Sequence, residues 1–394
     1  MVWLLLPLLF VWVGVGIVFF GVPGLYFLYM RQCSQRKWDL DIDSDFLPSV
    51  SILIPVYNEQ QIIGLKLENL AKVVYPAEKM EVIVVNDASS DDTLKIVAQY
   101  ISEHRLQFRV RVFDSQEHLG KTGCLNQVLK TIQSEIVIIS DADCFWPKDI
   151  LQKSLGYLSD PSVGAITARE QLLNAGDTWV TRGEQTYNNT VQAIRIGESK
   201  LYSTLFFQGG FAAYKKSLLN KFNHATDDSG TALDIIQTNK RTLLIPEIGF
   251  FTISPTAWQD KFTIKIRRAS HLQQLWARCL NLLIQGKLLM PKRIAIPEII
   301  LHLFNPLLLV VLVALTIAVM VSYPFLALGI LVVLGVVFAV KKTQTTAIEL
   351  IQNNIILLTA LMSFLAKRKF RFWKPVEGAR SALNKQMLQE KQLI

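Results

Sequence analysis

The chain has 394 residues, of which 51% are hydrophobic and 19% are charged, and its mean hydropathy is +0.31. This composition is too apolar for an ordinary soluble protein, and it excludes a disordered or a fibrous chain. The net charge of +9 is concentrated in residues 261–293 and 367–394, which is typical of the cytoplasmic flanks of membrane spans and argues against nucleic acid as a partner.

The first apolar block predicts a membrane anchor. Residues 2–30 contain no charged side chain, and Arg31, Arg36 and Lys37 follow at once. This block exceeds the ~20 residues that cross a bilayer, so we expect residues 1–30 to form a transmembrane helix whose N-terminus lies outside the cell. A cleaved signal peptide is the alternative, but the block has no basic start and no small-residue cleavage site.

Residues 45–255 are expected to form a cytosolic domain, because short β-branched runs alternate there with helical stretches. Helices are indicated near residues 61–73, 92–104, 121–133 and 148–158. The predicted strands are Val50–Pro55, Val82–Asn86, Arg109–Phe113, Ile136–Ser140 and Val163–Thr167. This alternation predicts a parallel, doubly wound sheet whose ligand lies at the carboxyl ends of the strands. The four cysteines, none of them closely paired, are expected to be reduced thiols without zinc.

Those predicted strand ends carry polar motifs. Pro55-Val56-Tyr57-Asn58-Glu59 ends the first strand, Asn86-Asp87 the second, and Asp141-Ala142-Asp143 the fourth. Two carboxylates at alternate positions of a strand end can hold a divalent cation, so Asp141 and Asp143 are candidate ligands of Mg²⁺ or Mn²⁺. The later motifs are His118-Leu119-Gly120-Lys121, Gln208-Gly209-Gly210 and Thr226-Asp227-Asp228.

In their order and content these motifs resemble the family 2 glycosyltransferases of the GT-A fold, in particular the membrane-bound group that includes cellulose, hyaluronan and poly-N-acetylglucosamine synthases and ceramide glucosyltransferase. The resemblance implies a Rossmann-like mixed α/β sheet joined to transmembrane helices. It implies that Asp87 contacts the base of a nucleotide sugar, with Tyr57 at the base, Glu59 near the ribose and Lys121 beside the phosphates. The remaining residues that it assigns to the nucleotide-sugar site are Pro55, Asp141, Gly209, Gly210 and Arg268.

The same resemblance places catalysis at Asp227 and Asp228. An inverting transfer needs a carboxylate that takes the proton of the acceptor hydroxyl, and the motif match makes Asp228 that base. Processive members of the family carry Gln-x-x-Arg-Trp on an interfacial helix, whereas the matching segment here is Lys265-Ile266-Arg267-Arg268-Ala269. The loss of the tryptophan argues against polymer synthesis, although Trp276, two helical turns later, could supply a displaced platform.

The C-terminal third is expected to lie at and in the membrane. Residues 258–293 suit basic amphipathic helices at the cytosolic interface, residues 297–366 two or three spans, and residues 367–394 a basic cytosolic tail. A fourth complete span would export that tail, so residues 347–366 are either re-entrant or an exception to the positive-inside tendency.

The sequence therefore predicts an integral membrane protein, in the plasma membrane, that transfers a sugar from a nucleotide sugar, expected to be a uridine diphosphate sugar, to a lipid-linked or glycan acceptor at the membrane. A processive polysaccharide synthase is the alternative within the same chemistry. A catalytically silent protein that binds nucleotide and regulates a partner is the alternative of another class.

Overall fold

The computed structural model describes residues 2–223, 227–366 and 383–394. The chain divides into two compact units. The described residues within 1–32 and 262–369 form the apolar unit, and those within 33–261 and 370–394 form the sheet unit.

The helices come in the following chain order: α1 (Val2–Gly16), α2 (Val22–Ser34), α3 (Ile63–Ala71), α4 (Thr93–Glu103), α5 (Lys121–Leu129), α6 (Ile150–Leu155), α7 (Trp179–Leu201), α8 (Asp227–Ile236), α9 (Trp258–Ile284), α10 (Lys292–Ile299), α11 (Asn305–Ser322), α12 (Pro324–Ala339), α13 (Lys341–Leu365) and α14 (Lys385–Glu390). The strands are β1 (Val50–Val56), β2 (Met80–Asn86), β3 (Arg109–Asp114), β4 (Ile136–Ile139), β5 (Val163–Leu172), β6 (Ala212–Lys215) and β7 (Arg241–Thr252).

These strands form a single sheet in the order β3-β2-β1-β4-β6-β5-β7. All five predicted strands are present. β6 runs antiparallel to both β4 and β5, so the parallel sheet expected from the strand–helix alternation is wrong at this strand, and the mixed sheet implied by the resemblance is confirmed. The other neighbouring strands pair in parallel. The sheet is therefore mixed, and β1, β2, β4, β5 and β7 end at one edge.

Helices cover both faces of the sheet, which is why its central strands read as continuous apolar runs. All seven residues of β1 except Pro55 are buried, and β4 is buried throughout. The main core continues through Trp146, Phe211 and Phe250, which are at most 1% exposed. This close packing makes the strand ends a rigid base for the polar loops that follow them.

The C-terminal segment, residues 383–394, packs within the sheet unit. Leu388 and Leu393 are at most 1% exposed and contact a small apolar cluster with Ile62 and Phe145. The Lys385 ammonium lies 3.0 Å from the carboxylate of Glu68 on α3. The sequence indicated only a basic tail here, and residues 367–382 of that tail lie outside the described residues.

Among the described residues, three helical stretches are long and apolar enough to cross a membrane: Leu6–Ser34, Lys292–Ser322 and Thr343–Ser363. Helix α12 is as apolar but has 16 residues, about 24 Å at 1.5 Å per residue. On α9, Trp276 is 1% exposed and stacks on His302 with ring centroids 5.8 Å apart. A buried, stacked Trp276 does not form the open aromatic platform that its sequence position allowed.

Candidate active site

Three predicted site residues meet at one ammonium group. Lys121 is the first residue of α5, which follows Gly120 in a left-handed conformation (φ +78°). The Lys121 Nζ lies 2.9 Å from Oδ1 of Asp141 at the end of β4, and 3.6 Å from Oδ2 of Asp228 on α8. The structure therefore brings together the side chains assigned to the donor phosphates, the cation and the base, from elements that are far apart in the chain.

The two glycines of the Gln208-Gly209-Gly210 loop face different surroundings. A Cβ on Gly209 would overlap the Asp141 carboxylate and lie 2.7 Å from Lys121 Nζ, so this position has no room for a side chain. A Cβ on Gly210 would instead overlap the Phe250 ring in the core, and the Gly210 carbonyl accepts a hydrogen bond from Trp146 Nε1 at 2.7 Å. Gly209 thus borders the site, whereas the structure gives Gly210 a packing role.

The residues after β4 fit a hard divalent cation. Ligand atoms of Asp141, Asp143 and Cys144 all lie within 4.8 Å of one another. The Cys144 sulfur is a soft donor that suits such a cation poorly. Burial, with the Asp143 and Asp141 carboxylates nearby, raises the pKa of its thiol well above the ordinary value. Two carboxylates remain as the donor set, and oxygen donors of this kind suit Mg²⁺ or Mn²⁺.

Asp87, directly after β2, is held by three donors. Its Oδ1 accepts the Leu119 backbone N–H at 2.7 Å and the Cys124 thiol at 3.2 Å, and Nδ1 of His118 lies 3.0 Å from Oδ2. Burial, together with the hydrogen bond to Asp87, raises the pKa of Cys124 to about 12. The thiol therefore stays protonated and donates a hydrogen bond to Asp87. A carboxylate offers about four lone-pair positions, which leaves one at Oδ2.

Tyr57, directly after β1, stacks on the His118 ring with centroids 4.3 Å apart. The residue after it, Asn58, has φ +55°, and its side chain accepts the Ser90 N–H at 2.8 Å while its own N–H donates to Ser89 Oγ at 2.9 Å. These bonds tie the loop after β1 to the loop after β2. Tyr57, Asp87 and His118 consequently form a second cluster at the same edge of the sheet.

The remaining predicted residues are less directly placed. Pro55 is half-buried in β1, and Glu59 is 3% exposed with its backbone N–H on Thr93 Oγ1 at 2.8 Å. Asp227 is the first residue of α8, but its side chain, like all of Thr226, lies outside the described residues. Arg268 belongs to the apolar unit, so its role at the site stays a prediction.

Sequence reasoning missed buried residues that hydrogen-bond to the segment carrying Asp141 and Asp143. Lys66 and Asn69 on α3 are both 0% exposed and contact the segment that follows β4. Burial lowers the pKa of Lys66 to about 8. The sequence did contain a sign of this role, because a polar residue on the apolar face of a helix must be hydrogen-bonded when it is buried. Lys66 and Asn69 lie on such a face, among Ile62, Ile63, Leu67 and Leu70. The role of His118 could not be read from the sequence.

Comparison with known proteins agrees with this architecture. Residues 51–222 match the model of glycosyl transferase family 2. The mannosyltransferase of Pyrobaculum calidifontis, solved in complex with GDP-Man and Mn²⁺, superposes with a TM-score of 0.78 and 28% identity over 92% of this chain and 100% of that one.

Two curated relatives share the domain. A β-monoglucosyldiacylglycerol synthase of Nostoc sp. is 32% identical over 163 residues, which are 41% of this chain and 34% of that protein. A poly-β-1,6-N-acetyl-D-glucosamine synthase of Staphylococcus aureus is 28% identical over 204 residues, 51% of this chain and 48% of that protein. The chain thus spans between a third and a half of the length of these relatives. Its similarity to family 2 glycosyltransferases lies in residues 51–222 of the sheet unit.

Proposed function

We propose that the protein is a membrane-bound inverting glycosyltransferase that transfers a sugar from a uridine diphosphate sugar to a lipid-linked or membrane-proximal acceptor. The observation that carries this proposal is the position of Lys121, whose ammonium lies 2.9 Å from Asp141 and 3.6 Å from Asp228. This ammonium links the carboxylate assigned to the cation at the leaving diphosphate with the carboxylate assigned to the acceptor hydroxyl, which supports their acting in one active site. This grouping is what an inverting transfer requires.

In this mechanism Asp141 and Asp143 hold Mg²⁺ or Mn²⁺. The cation, when bound, neutralises charge that develops on the leaving nucleoside diphosphate. Lys121 adds a second positive charge at the same place. Asp228 accepts the proton of the acceptor hydroxyl as its oxygen attacks the anomeric carbon, on the side opposite the leaving group. Gly209 lets the Asp141 carboxylate and the Lys121 ammonium approach the backbone, because a Cβ there would overlap Asp141 and lie 2.7 Å from Lys121 Nζ.

The hydrogen bonds of Asp87 support uracil as the base. Oδ1 already accepts two donors and Oδ2 lies beside His118, which leaves one lone pair. The N3–H of uracil needs one acceptor, whereas the N1–H and N2–H of guanine would need two. The Pyrobaculum calidifontis enzyme was solved with GDP-Man, so competition between UDP and GDP is a direct test. Tighter binding of GDP would reverse this assignment.

A lipid-linked acceptor is favoured over a growing polymer. The segment that matches the processive motif ends in Ala269, which is 6% exposed, and the nearby Trp276 is 1% exposed. Ala269 has no ring and Trp276 is buried, so neither side chain can stack on an acceptor sugar. The similarity to a glucosyldiacylglycerol synthase also supports a lipid-linked acceptor. The similarity to a poly-N-acetylglucosamine synthase supports the processive alternative, so the experiment below tests for a polymeric product as well.

The membrane location rests on the three long apolar helices, and we propose that the sheet unit is cytosolic because Arg31, Arg36 and Lys37 follow the first of them. Residues 383–394 pack within the sheet unit and so lie on its side of the membrane. The chain between residues 261 and 383 must then cross the membrane an even number of times. The stretches Lys292–Ser322, α12 and α13 cannot all be complete crossings.

The experiment is a panel of radiolabelled UDP and GDP sugars offered to membranes that contain the protein, with products separated by organic extraction and size-exclusion chromatography. We expect a short product in the organic phase from a UDP sugar. Chelation with EDTA or Asp141→Asn should abolish it, with Asp149→Asn, at a half-buried aspartate that pairs with Lys153 at 2.5 Å, as the control. A high-molecular-weight product would establish the processive alternative, and nucleotide binding without turnover of any sugar would favour the regulatory one.

A further inference from the structure

The segment that carries the two predicted cation ligands leaves the sheet and is held from one side by α3. β4 ends at Ile139, and only part of the backbone of residues 140–146 still bonds to strands: the Ser140 N–H donates to the Leu53 carbonyl of β1, and Phe145 pairs with Phe251 of β7. Buried backbone groups need hydrogen bonds. On the opposite side, the Asp141 N–H donates to the Gly209 carbonyl at 2.7 Å, and Ser140 Oγ donates to the Gly210 carbonyl at 3.3 Å.

Asn69 hydrogen-bonds to both backbone groups of Trp146, at the far end of this segment. Its Oδ1 accepts the Trp146 N–H at 2.8 Å, and its Nδ2 donates to the Trp146 carbonyl at 2.8 Å. The same Nδ2 donates to the Leu393 carbonyl at 2.7 Å, which ties the C-terminal segment to this point. A single neutral side chain, 0% exposed, thus clasps the backbone three residues after Asp143.

Lys66, on the same face of α3, holds the other end of the segment. Its ammonium donates to Ser140 Oγ at 2.6 Å and to the Cys144 carbonyl, and it lies 4.7 Å from the centre of the Trp146 ring. These acceptors come directly before Asp141 and directly after Asp143. Burial of a lysine is costly unless its hydrogen bonds are made, so the position of the segment is coupled to the position of this side chain.

We propose that Asn69, together with Lys66, is a positioning residue for the cation site: the two side chains fix residues 140–146 and so set how the carboxylates of Asp141 and Asp143 face each other. This inference rests on the proposed cation role of the two aspartates. Residues that orient metal ligands without touching the metal typically change metal affinity by roughly 10–100-fold when they are replaced.

The chain offers a matched control for Asn69. Asn174, 1% exposed, makes the same kind of clasp on Ser254, accepting its N–H at 3.0 Å and donating to its carbonyl at 2.7 Å. It lies after β5, in a segment that carries neither predicted ligand. Asn69→Leu and Asn174→Leu each remove a pair of buried backbone hydrogen bonds without changing charge, and Asn69→Leu also removes the bond to Leu393. A purely structural role therefore predicts thermal destabilisation of both variants and similar Mn²⁺ binding.

The test uses the full-length protein purified in detergent. Mn²⁺ is titrated by calorimetry in the presence of UDP, UDP is titrated in EDTA, and melting temperatures are recorded without metal. We expect Asn69→Leu to weaken Mn²⁺ binding by roughly 10–100-fold and to leave metal-free UDP binding within about 2-fold, while Asn174→Leu keeps Mn²⁺ binding at the wild-type value. Asn69→Ser, which keeps a small polar group, replaces the leucine variant if that variant does not fold.

Equal Mn²⁺ affinity in the Asn69 and Asn174 variants would overturn the positioning role. Failure of the wild type to bind Mn²⁺ at all would instead refute the proposed cation site, so the two failures are distinguishable.

Discussion

Replacing Lys66 by methionine should change how the stability of the sheet unit depends on pH. Lys66 is 0% exposed, and burial lowers its pKa from 10.5 to about 8, although the nearby Cys144, Asp141 and Asp143 favour the charged form. The unfolded chain therefore binds this proton more tightly than the folded chain. Methionine has a similar length and no charge, so the substitution removes the titration while largely filling the same space.

The magnitude follows from the size of this pKa shift. A shift of one unit is about 1.4 kcal/mol, so a charged Lys66 costs the folded state about 3 kcal/mol at neutral pH. Below pH 8 the lysine is charged in both states and the full cost applies. Between pH 8 and 10.5 the folded state loses its proton first, so the stability of the wild type rises with pH; above 10.5 the cost is gone.

The assay compares melting temperatures of the wild type and Lys66→Met in EDTA at about pH 7.5 and about pH 9.5. Over this interval the wild type should gain about 2 kcal/mol relative to the variant, which for a domain of this size corresponds to roughly 4–8 °C. Taking the difference between the two proteins cancels the titration of other groups. Lys72→Met, on an exposed lysine at the end of the same helix, should show no pH-dependent difference.

A constant difference between wild type and Lys66→Met at the two pH values would refute this reasoning. It would mean that Lys66 keeps its proton throughout, and that the carboxylates around it outweigh its burial.

Three other substitutions or labels have separate expected outcomes. Gly209→Ala should lower kcat/KM by roughly 10²-fold, because the added Cβ overlaps the Asp141 carboxylate. Gly64→Ala is the control, since its added Cβ meets only Ile96 at 3.6 Å. Equal activity of the two variants would contradict the overlap. Asp228→Asn should lower kcat by ~10²–10⁴-fold in steady-state assays while UDP affinity stays nearly unchanged; unaltered kcat would exclude it as the base. A cysteine at position 385 should be labelled only after the membrane is permeabilised, and labelling in intact cells would refute its cytosolic position.

The sequence alone determined the elements with a strong local pattern. β-branched runs identified the five predicted strands. The runs are continuously apolar only in central strands such as β1 and β4, which are buried on both faces, whereas the edge strand β3 alternates arginine with apolar residues. The polar residues at their ends located Asp87, Asp141 and Asp143, because parallel strands deliver their carboxyl ends to one edge. Uncharged blocks of sufficient length likewise predicted the membrane helices.

Only the tertiary structure decided features that depend on distant segments. The four residues of β6 are too few to carry a readable period, and their antiparallel direction follows from where the chain returns after Gly210. The buried Lys66 and Asn69 bond to Ser140, Cys144 and Trp146 in the segment beyond β4, and the packing of Leu393 beside Asn69 joins positions 324 residues apart. Long-range hydrogen bonds of this kind leave no local periodicity, because the residue types that make them also occur on ordinary solvated surfaces.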